Sequence, residues 1–196
     1  VGAAEPIGFT VADGETQWTL LTGRDAVAAG HAIERLTAHP GVAVKLADSN
    51  VQPLPQFKRR LITESIENLN HVQGDIRRQA MHDLTALGDL PEMALRRART
   101  NRFSLTFRQR VDVLLDAIQK QPCSTAKRTD IRGIQLLERI GNSEARRVLE
   151  KLAKGAIDDR CTIAATAALR RLDHLSGNTL PGTDGKPIEG TASIVE

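Results

Sequence analysis

Asp75-Ile76-Arg77-Arg78-Gln79-Ala80-Met81-His82-Asp83-Leu84-Thr85-Ala86-Leu87-Gly88 decides the fold class of this 196-residue chain. An aspartate opens the stretch, where its carboxylate can accept hydrogen bonds from the free N–H groups of a helix start. Ile76, Ala80, Leu84 and Leu87 recur at intervals of three and four, which sets them on one helical face. Gly88 closes it, free to take the left-handed conformation that ends helices. A related stretch returns as Asp130-Ile131-Arg132-Gly133-Ile134-Gln135-Leu136-Leu137-Glu138-Arg139-Ile140-Gly141. Two copies of "Asp-Ile-Arg, helix, Gly" in one chain point to a helical repeat.

The same period extends in both directions. A helix is expected over 24–38, with Ala26, Val27, Ile33 and Leu36 inward, ended by His39-Pro40. A short helix covers 41–47, and Pro53-Leu54-Pro55 is a stiff connector. Residues 56–69 bring Leu61, Ile62, Ser65, Ile66 and Leu69 together. Asp75 caps the next helix, and Asp89 with Pro91 starts another that buries Met93, Ala94 and Ala98. Ser104 opens a helix with Phe107, Val111, Leu114, Leu115 and Ile118 inside. After Pro122, Ser124 or Thr125 opens the helix of Ile131, Ile134, Leu137 and Ile140. Gly141-Asn142-Ser143-Glu144 is a tight turn carrying its own cap, followed by Ala145, Val148, Leu149 and Leu152. Gly155 stops that helix. Asp158 or Asp159 caps the last, where Ile163, Ala164, Ala167, Ala168 and Leu172 are apolar.

This reads as an all-α protein: a HEAT-like α-solenoid of antiparallel helical hairpins, with about eight or nine helices. Residues 18–175 form the helical domain. Residues 1–17 lack helical period and are expected to be a linker or the end of a preceding domain. Residues 176–196, with four glycines and two prolines and no helical period, are expected to be a disordered tail.

Composition agrees. Apolar residues are 40% but aromatics only 3%, so the core is built from Ala, Leu, Ile and Val, which suits close helix packing better than a sandwich. The net charge of +3 is a slim excess that allows nucleic-acid binding without demanding it. Cys123 and Cys161 supply neither a disulfide framework nor a four-ligand zinc site, and are read as free thiols. No run approaches the ~18 apolar residues of a membrane span. The expectation is a cytoplasmic segment of a longer polypeptide, with no membrane contact.

Residues 133–155, GIQLLERIGNSEARRVLEKLAKG, resemble the run A-v-e-x-L-E-R-I-G-T-P-E-A-R-x-L-L-E-x-L-A-K-G at the C-terminus of large bacterial, planctomycete-type WD-repeat β-propeller proteins. Residues 164–172, AATAALRRL, are similar to the A-x-x-A-L-x-R-L that follows there. Trp18, Leu21, Asp25, Ala26, Ala32, Ile33 and Leu36 are similar to that domain's entry helix. The likeness covers about residues 17–173. The chain departs from the pattern where the proline of the turn is replaced by Ser143, and where Cys161 stands in place of leucine. What the resemblance implies is a HEAT-like domain appended to a propeller; it carries no catalytic residues over.

A search for reactive groups finds little. His31, His39, His71, His82 and His174 form no His-Glu-x-x-His pair, and no Cys-x-x-Cys is present. There is no Gly-x-Ser-x-Gly elbow. Gly177 and Gly182 have P-loop spacing but lack the lysine that must follow. Cys161 lies near a helix start, where a thiol can be activated, but also reads as a small buried apolar residue. Asp158-Asp159 reads as a helix cap. No catalytic, cofactor-binding or metal-ligating residue is assigned, and the expectation is a non-enzymatic module without cofactor.

One run invites a binding role. From Met93 to Val111 there is no acidic residue, while Arg96, Arg97, Arg99, Arg102, Arg108 and Arg110 each add a positive charge. Converging, they would hold phosphates or an acidic partner. Alternatively, their stems cover apolar surface and their heads pair with carboxylates. The preferred reading is a protein–protein interaction or scaffolding domain; the alternative is a nucleic-acid- or phosphate-binding helical repeat using the Arg96–Arg110 surface.

Overall fold

The structure, a computed structural model, describes residues 9–100, 104–175 and 177. Among the described residues there are ten helices and no strand: α1 (Val11–Thr22), α2 (Ala26–Thr37), α3 (Pro40–Asn50), α4 (Gln56–Asn68), α5 (Gly74–Ala86), α6 (Glu92–Thr100), α7 (Leu105–Lys120), α8 (Thr125–Ile140), α9 (Ser143–Ala153) and α10 (Arg160–Leu175). The all-α reading therefore holds, with one helix more than the upper expectation. The tail expected over 176–196 lies, except for Gly177, outside the described residues.

The additional helix is α1, which shows residues 11–17, expected to lack helical period, as helical; residues 1–8 of the expected linker or domain end lie outside the described residues. Thr10 and Asp13 close a capping box: Asp13 N–H donates to Thr10 Oγ1 at 3.2 Å, and Thr10 N–H to the Asp13 carboxylate at 2.8 Å. The inward face of α1 includes Gly14, Gln17, Trp18, Leu21 and Thr22. Its first inward positions are a glycine and a glutamine, so no apolar period announces it. Gly14 is there because α3 comes close; a Cβ would stand 2.5 Å from Val42 Cγ1. The entry-helix resemblance accordingly spans two helices, with Trp18 and Leu21 on α1 and Asp25 capping α2 through Val27 N–H at 2.8 Å.

Most expected caps stand where their side chains predict. Ser104, Ser124 and Asn142 accept from the third residue of α7, α8 and α9, respectively. Gly88 and Gly141 take φ of 61° and 60°. Asp75 is different: Gln73 occupies the cap position, and Asp75 lies in the first turn of α5, paired with Arg78. Some inward assignments also change. Val27, Leu61, Ile131 and Ile163 are exposed, while Leu95 and Leu136 are fully buried. α8 explains the last of these. It packs against α1, α2, α3, α9 and α10, so residues on more than one of its sides are covered.

Two apolar cores result. The first joins α1–α3 to α8–α10, around Trp18, Leu21, Leu36, Ile134, Leu137 and Leu149. The second lies within α4–α7, around Ile62, Leu69, Leu84, Leu95, Phe107 and Val111. The N-terminal and C-terminal helices thus complete one another, and the four middle helices form a unit inserted between them. Hairpins stack locally, as α9 does on α10 and α6 on α7, but the order of packing is not the order of the chain.

Candidate functional site

The seam between the two cores is where ionisable groups are least exposed. It is built by the connector after α3, the Asp89–Pro91 turn, and the first turns of α8 and α10. Arg160 lies at its centre. It donates to the Asp130 carboxylate at 2.7 Å and 2.9 Å through Nη2 and Nε, and its Nη1 is 3.5 Å from Asp89 Oδ1. Lys127 Nζ meets Glu92 at 2.5 Å, and Arg96 reaches the same carboxylate at 3.0 Å. Asp159 accepts from Leu54 N–H at 2.6 Å and from Cys161 N–H at 2.9 Å, so one side chain both caps α10 and pins the connector. A cleft of about 410 Å³ opens beside them, with Asp130, Asp159, Arg160 and Cys161 in its wall.

The electrostatics argue for a lock rather than a reaction centre. Burial pushes the Asp130 carboxyl above its ordinary value, against the pull of Arg160. Burial also works against the charge of Arg160, but Asp130 and Asp89 outweigh it and hold the guanidinium ionised. Burial, with the neighbouring Asp130 and Asp159 carboxylates, raises the Cys161 thiol far above the thiol range. A thiol so placed is not a nucleophile, in keeping with the reading of Cys161 as a small buried residue. Cys123 is exposed, and both cysteines are free. Among the described residues no group of three His, Cys, Asp or Glu is set to hold a metal ion.

Three arginines of the run are engaged individually. Arg96 pairs with Glu92 on its own helix, and Arg99 Nε donates to Asp112 of α7 at 2.5 Å. Arg110 Nη1 donates to the Leu69 carbonyl at 2.9 Å, turned toward the end of α4. Arg97 and Arg108 are exposed. Arg102 lies outside the described residues. Of the acids expected as partners (Glu64, Glu67, Asp83 and Asp116), none forms an ion pair with this run among the described residues; Glu64 pairs with Arg60 and Asp116 with Lys120.

A second cationic group was not legible. Arg24, Arg128 and Arg132 line one cleft of about 430 Å³ with Pro122, Cys123 and Ile131. Arg128 Nε donates to the Thr22 carbonyl at 2.9 Å, and Arg132 Nη1 to the carbonyls of Leu21 and Gly23 at 2.6 Å and 2.7 Å. The sequence separation exceeds 100 positions, so no local pattern brings them together. The available signal was the repeated Asp-Ile-Arg, whose arginine faces carbonyls in both copies.

A groove of about 670 Å³ lies where α1 meets α3. Val11, Pro40, Val42 and Leu46 supply apolar surface, and Glu15, Lys45 and Glu144 supply charge. Val11 is 62% exposed although it opens a well-capped helix.

Comparison with known proteins finds no matching family, no similar curated protein and no similar solved structure. Among the described residues no helix is long and apolar enough to cross a membrane.

Proposed function

We propose that this chain is a non-enzymatic scaffolding module that binds a protein partner through the α1–α3 groove. The observation that carries the reading is the groove's make-up: apolar lining from Val11, Val42 and Leu46 together with charged lining from Glu15, Lys45 and Glu144. Interfaces are built this way, with a dry centre for affinity and a polar edge for register. The state of the seam supports the non-enzymatic part, because its thiol is held protonated and its central arginine is taken up by Asp130 and Asp89. The resemblance of residues 133–155 supports a setting beside a WD-repeat propeller in a longer bacterial polypeptide, acting in the cytoplasm.

The test is site-specific photocrosslinking in the native host, with the crosslinker at Val11 or at Arg97. A discrete protein adduct at Val11, insensitive to nuclease and lost in Val42→Asp, is the expected result. Absence of a protein adduct at Val11, with nucleic acid captured at Arg97 and released by salt, overturns it in favour of the basic surface.

A further inference from the structure

We propose that the cleft formed by Arg24, Arg128 and Arg132 is a phosphoryl-group binding site. Three guanidiniums line one opening, and among the described residues none of them pairs with a carboxylate. Other arginines are held by carboxylates: Arg160 by Asp130 and Asp89, Arg146 by Asp173, and Arg171 by Glu138. The carboxylate closest in sequence, Asp25, is turned to the start of α2, where it accepts from Val27 and Ala28 N–H.

Two of the three cations are held in place by neutral acceptors. Arg128 spends Nε on the Thr22 carbonyl, Nη2 on Thr125 Oγ1 and Nη1 on the Cys123 carbonyl. Arg132 spends Nη1 on two carbonyls. These contacts fix the planes of both forks and leave their formal charges uncancelled. Tying the end of α1 to α8 accounts for those donors. It does not account for Arg24, which is exposed and lines the same opening, nor for an opening that collects three like charges. Three cations in one cleft repel one another, and an oxyanion relieves that repulsion while accepting charge-assisted hydrogen bonds. The N-terminal end of α8, beside Cys123, adds the positive end of a helix dipole.

The charge favours a dianion over a single carboxylate, which points to phosphate chemistry. The volume of about 430 Å³ exceeds a bare phosphate and falls within the range of small-molecule sites. Pro122 and Ile131 offer an apolar wall for whatever carries the group. The carrier is a small phosphate compound or a phosphorylated side chain; both present the same oxygens. The site is separate from the α1–α3 groove and does not depend on it.

Cys123 gives the test its readout. It is exposed at the cleft, whereas Cys161 is buried, so thiol reagents report on Cys123 in the folded chain. The full chain is labelled with a dianionic aromatic disulfide and with a neutral dithiodipyridine, alone and with inorganic pyrophosphate or a phosphoserine peptide. The expected result is a faster reaction with the dianionic reagent, lost in Arg24→Glu and kept in Arg24→Lys. A phosphoryl compound should protect saturably against both reagents, and Arg24→Glu should weaken it about tenfold or more. Protection by pyrophosphate alone identifies a small-molecule site; protection by the peptide alone identifies a phosphorylated partner. No protection by either, with the reagent preference unchanged in Arg24→Glu, overturns the proposal. Arg24 is exposed, so its replacement leaves the fold intact and the result stays readable.

Discussion

Arg77 and Arg132 perform the same local task in the two cores. Each uses one Nη1 to bridge two backbone carbonyls at or beyond the end of an earlier helix. Arg77 reaches those of His71 and Val72, at 2.7 Å and 2.8 Å, in the turn between α4 and α5. Arg132 reaches those of Leu21 and Gly23 at the end of α1, at 2.6 Å and 2.7 Å. The last carbonyls of a helix, such as that of Leu21, lack intrahelical partners and carry its negative pole, so the Arg132 guanidinium satisfies both needs together, whereas Arg77 satisfies carbonyls of the turn. Arg77 acts across six positions and Arg132 across 111, which makes the first a local brace and the second a clasp between distant parts of the chain.

Arg132→Ala should therefore cost more than Arg77→Ala. Charge-assisted bonds to partly buried carbonyls predict about 2–3 kcal/mol for Arg132 and about 1 kcal/mol for the more local Arg77. Urea unfolding followed by the fluorescence of Trp18, the single tryptophan and a member of the first core, measures the former; circular dichroism measures both. Equal costs would show that the span of the clasp is immaterial.

Glycine replacements should split in sign. At Gly133 a Cβ overlaps Val51 Cγ2 and lies 3.1 Å from Trp18 Cη2, so Gly133→Ala overpacks the first core by about 1–3 kcal/mol. Val51→Ala in the same chain should recover part of that loss. Gly30, inside α2, has nothing within 4 Å of an added Cβ, and Gly30→Ala should stabilise by about 0.5–1 kcal/mol. Thermal denaturation of the variants, singly and in the double, decides both points; a stabilising Gly133→Ala would mean that α8 can move off Trp18.

The seam should fail as a unit. Arg160→Ala leaves Asp130 and Asp89 facing one another without a cation, at a cost of about 3–5 kcal/mol. Arg171→Ala removes a more exposed pair with Glu138 and should cost no more than about 1 kcal/mol. Because Arg160 spans the two cores, its loss should also separate their unfolding, so that Trp18 fluorescence and circular dichroism no longer report one transition. Coincident transitions in Arg160→Ala would show that the remaining contacts, Lys127 with Glu92 and Asp159 with Leu54, suffice to couple the cores.

Two carboxylates of the seam should respond to pH in opposite directions. Burial opposes ionisation of Glu92, but hydrogen bonds from Lys127 and Arg96 prevail and hold it below its ordinary value of 4.5. Its stabilising effect is present above that value and disappears as pH falls through the folded-state pKa. Asp130 is shifted the other way, above its ordinary 3.8, by burial. Its titration favours the folded state fully below 3.8, and that advantage is lost as pH rises through the folded-state pKa. Denaturant titrations from pH 7 to pH 3 should show the advantage of wild type over Glu92→Gln shrinking toward acid. Stability relative to Asp130→Asn should fall as pH rises. The reverse slope in either case would place the proton on a different group.

Much of the helical content was legible because its causes are short-range. Ser104, Ser124 and Asn142 cap helices through their own next turns, and the period of Phe107, Val111, Leu114 and Leu115 declares a buried face. Where the local signal was weak or shared, the reading slipped. α1 begins on a face of Gly14 and Gln17, so residues 11–17 resembled a linker. Val27 and Ile131 fit an apolar period yet are exposed, because the neighbouring helix covers a different side. The arginine run was visible as a count of charges, but charge in sequence does not fix direction: Arg99 turns to Asp112 and Arg110 to the end of α4.

The sequence by itself determined an all-helical chain, most of its helix starts and stops, and the left-handed glycines at 88 and 141. Those depend on side chains acting within a turn or two of themselves. Only the tertiary structure decided that α8–α10 close upon α1–α3, that α4–α7 form a second core between them, and that Arg24 meets Arg128 and Arg132 in one cleft. Those depend on which apolar faces bury one another across about a hundred residues. Helical period shows that a face seeks a partner but carries no information on which face it finds.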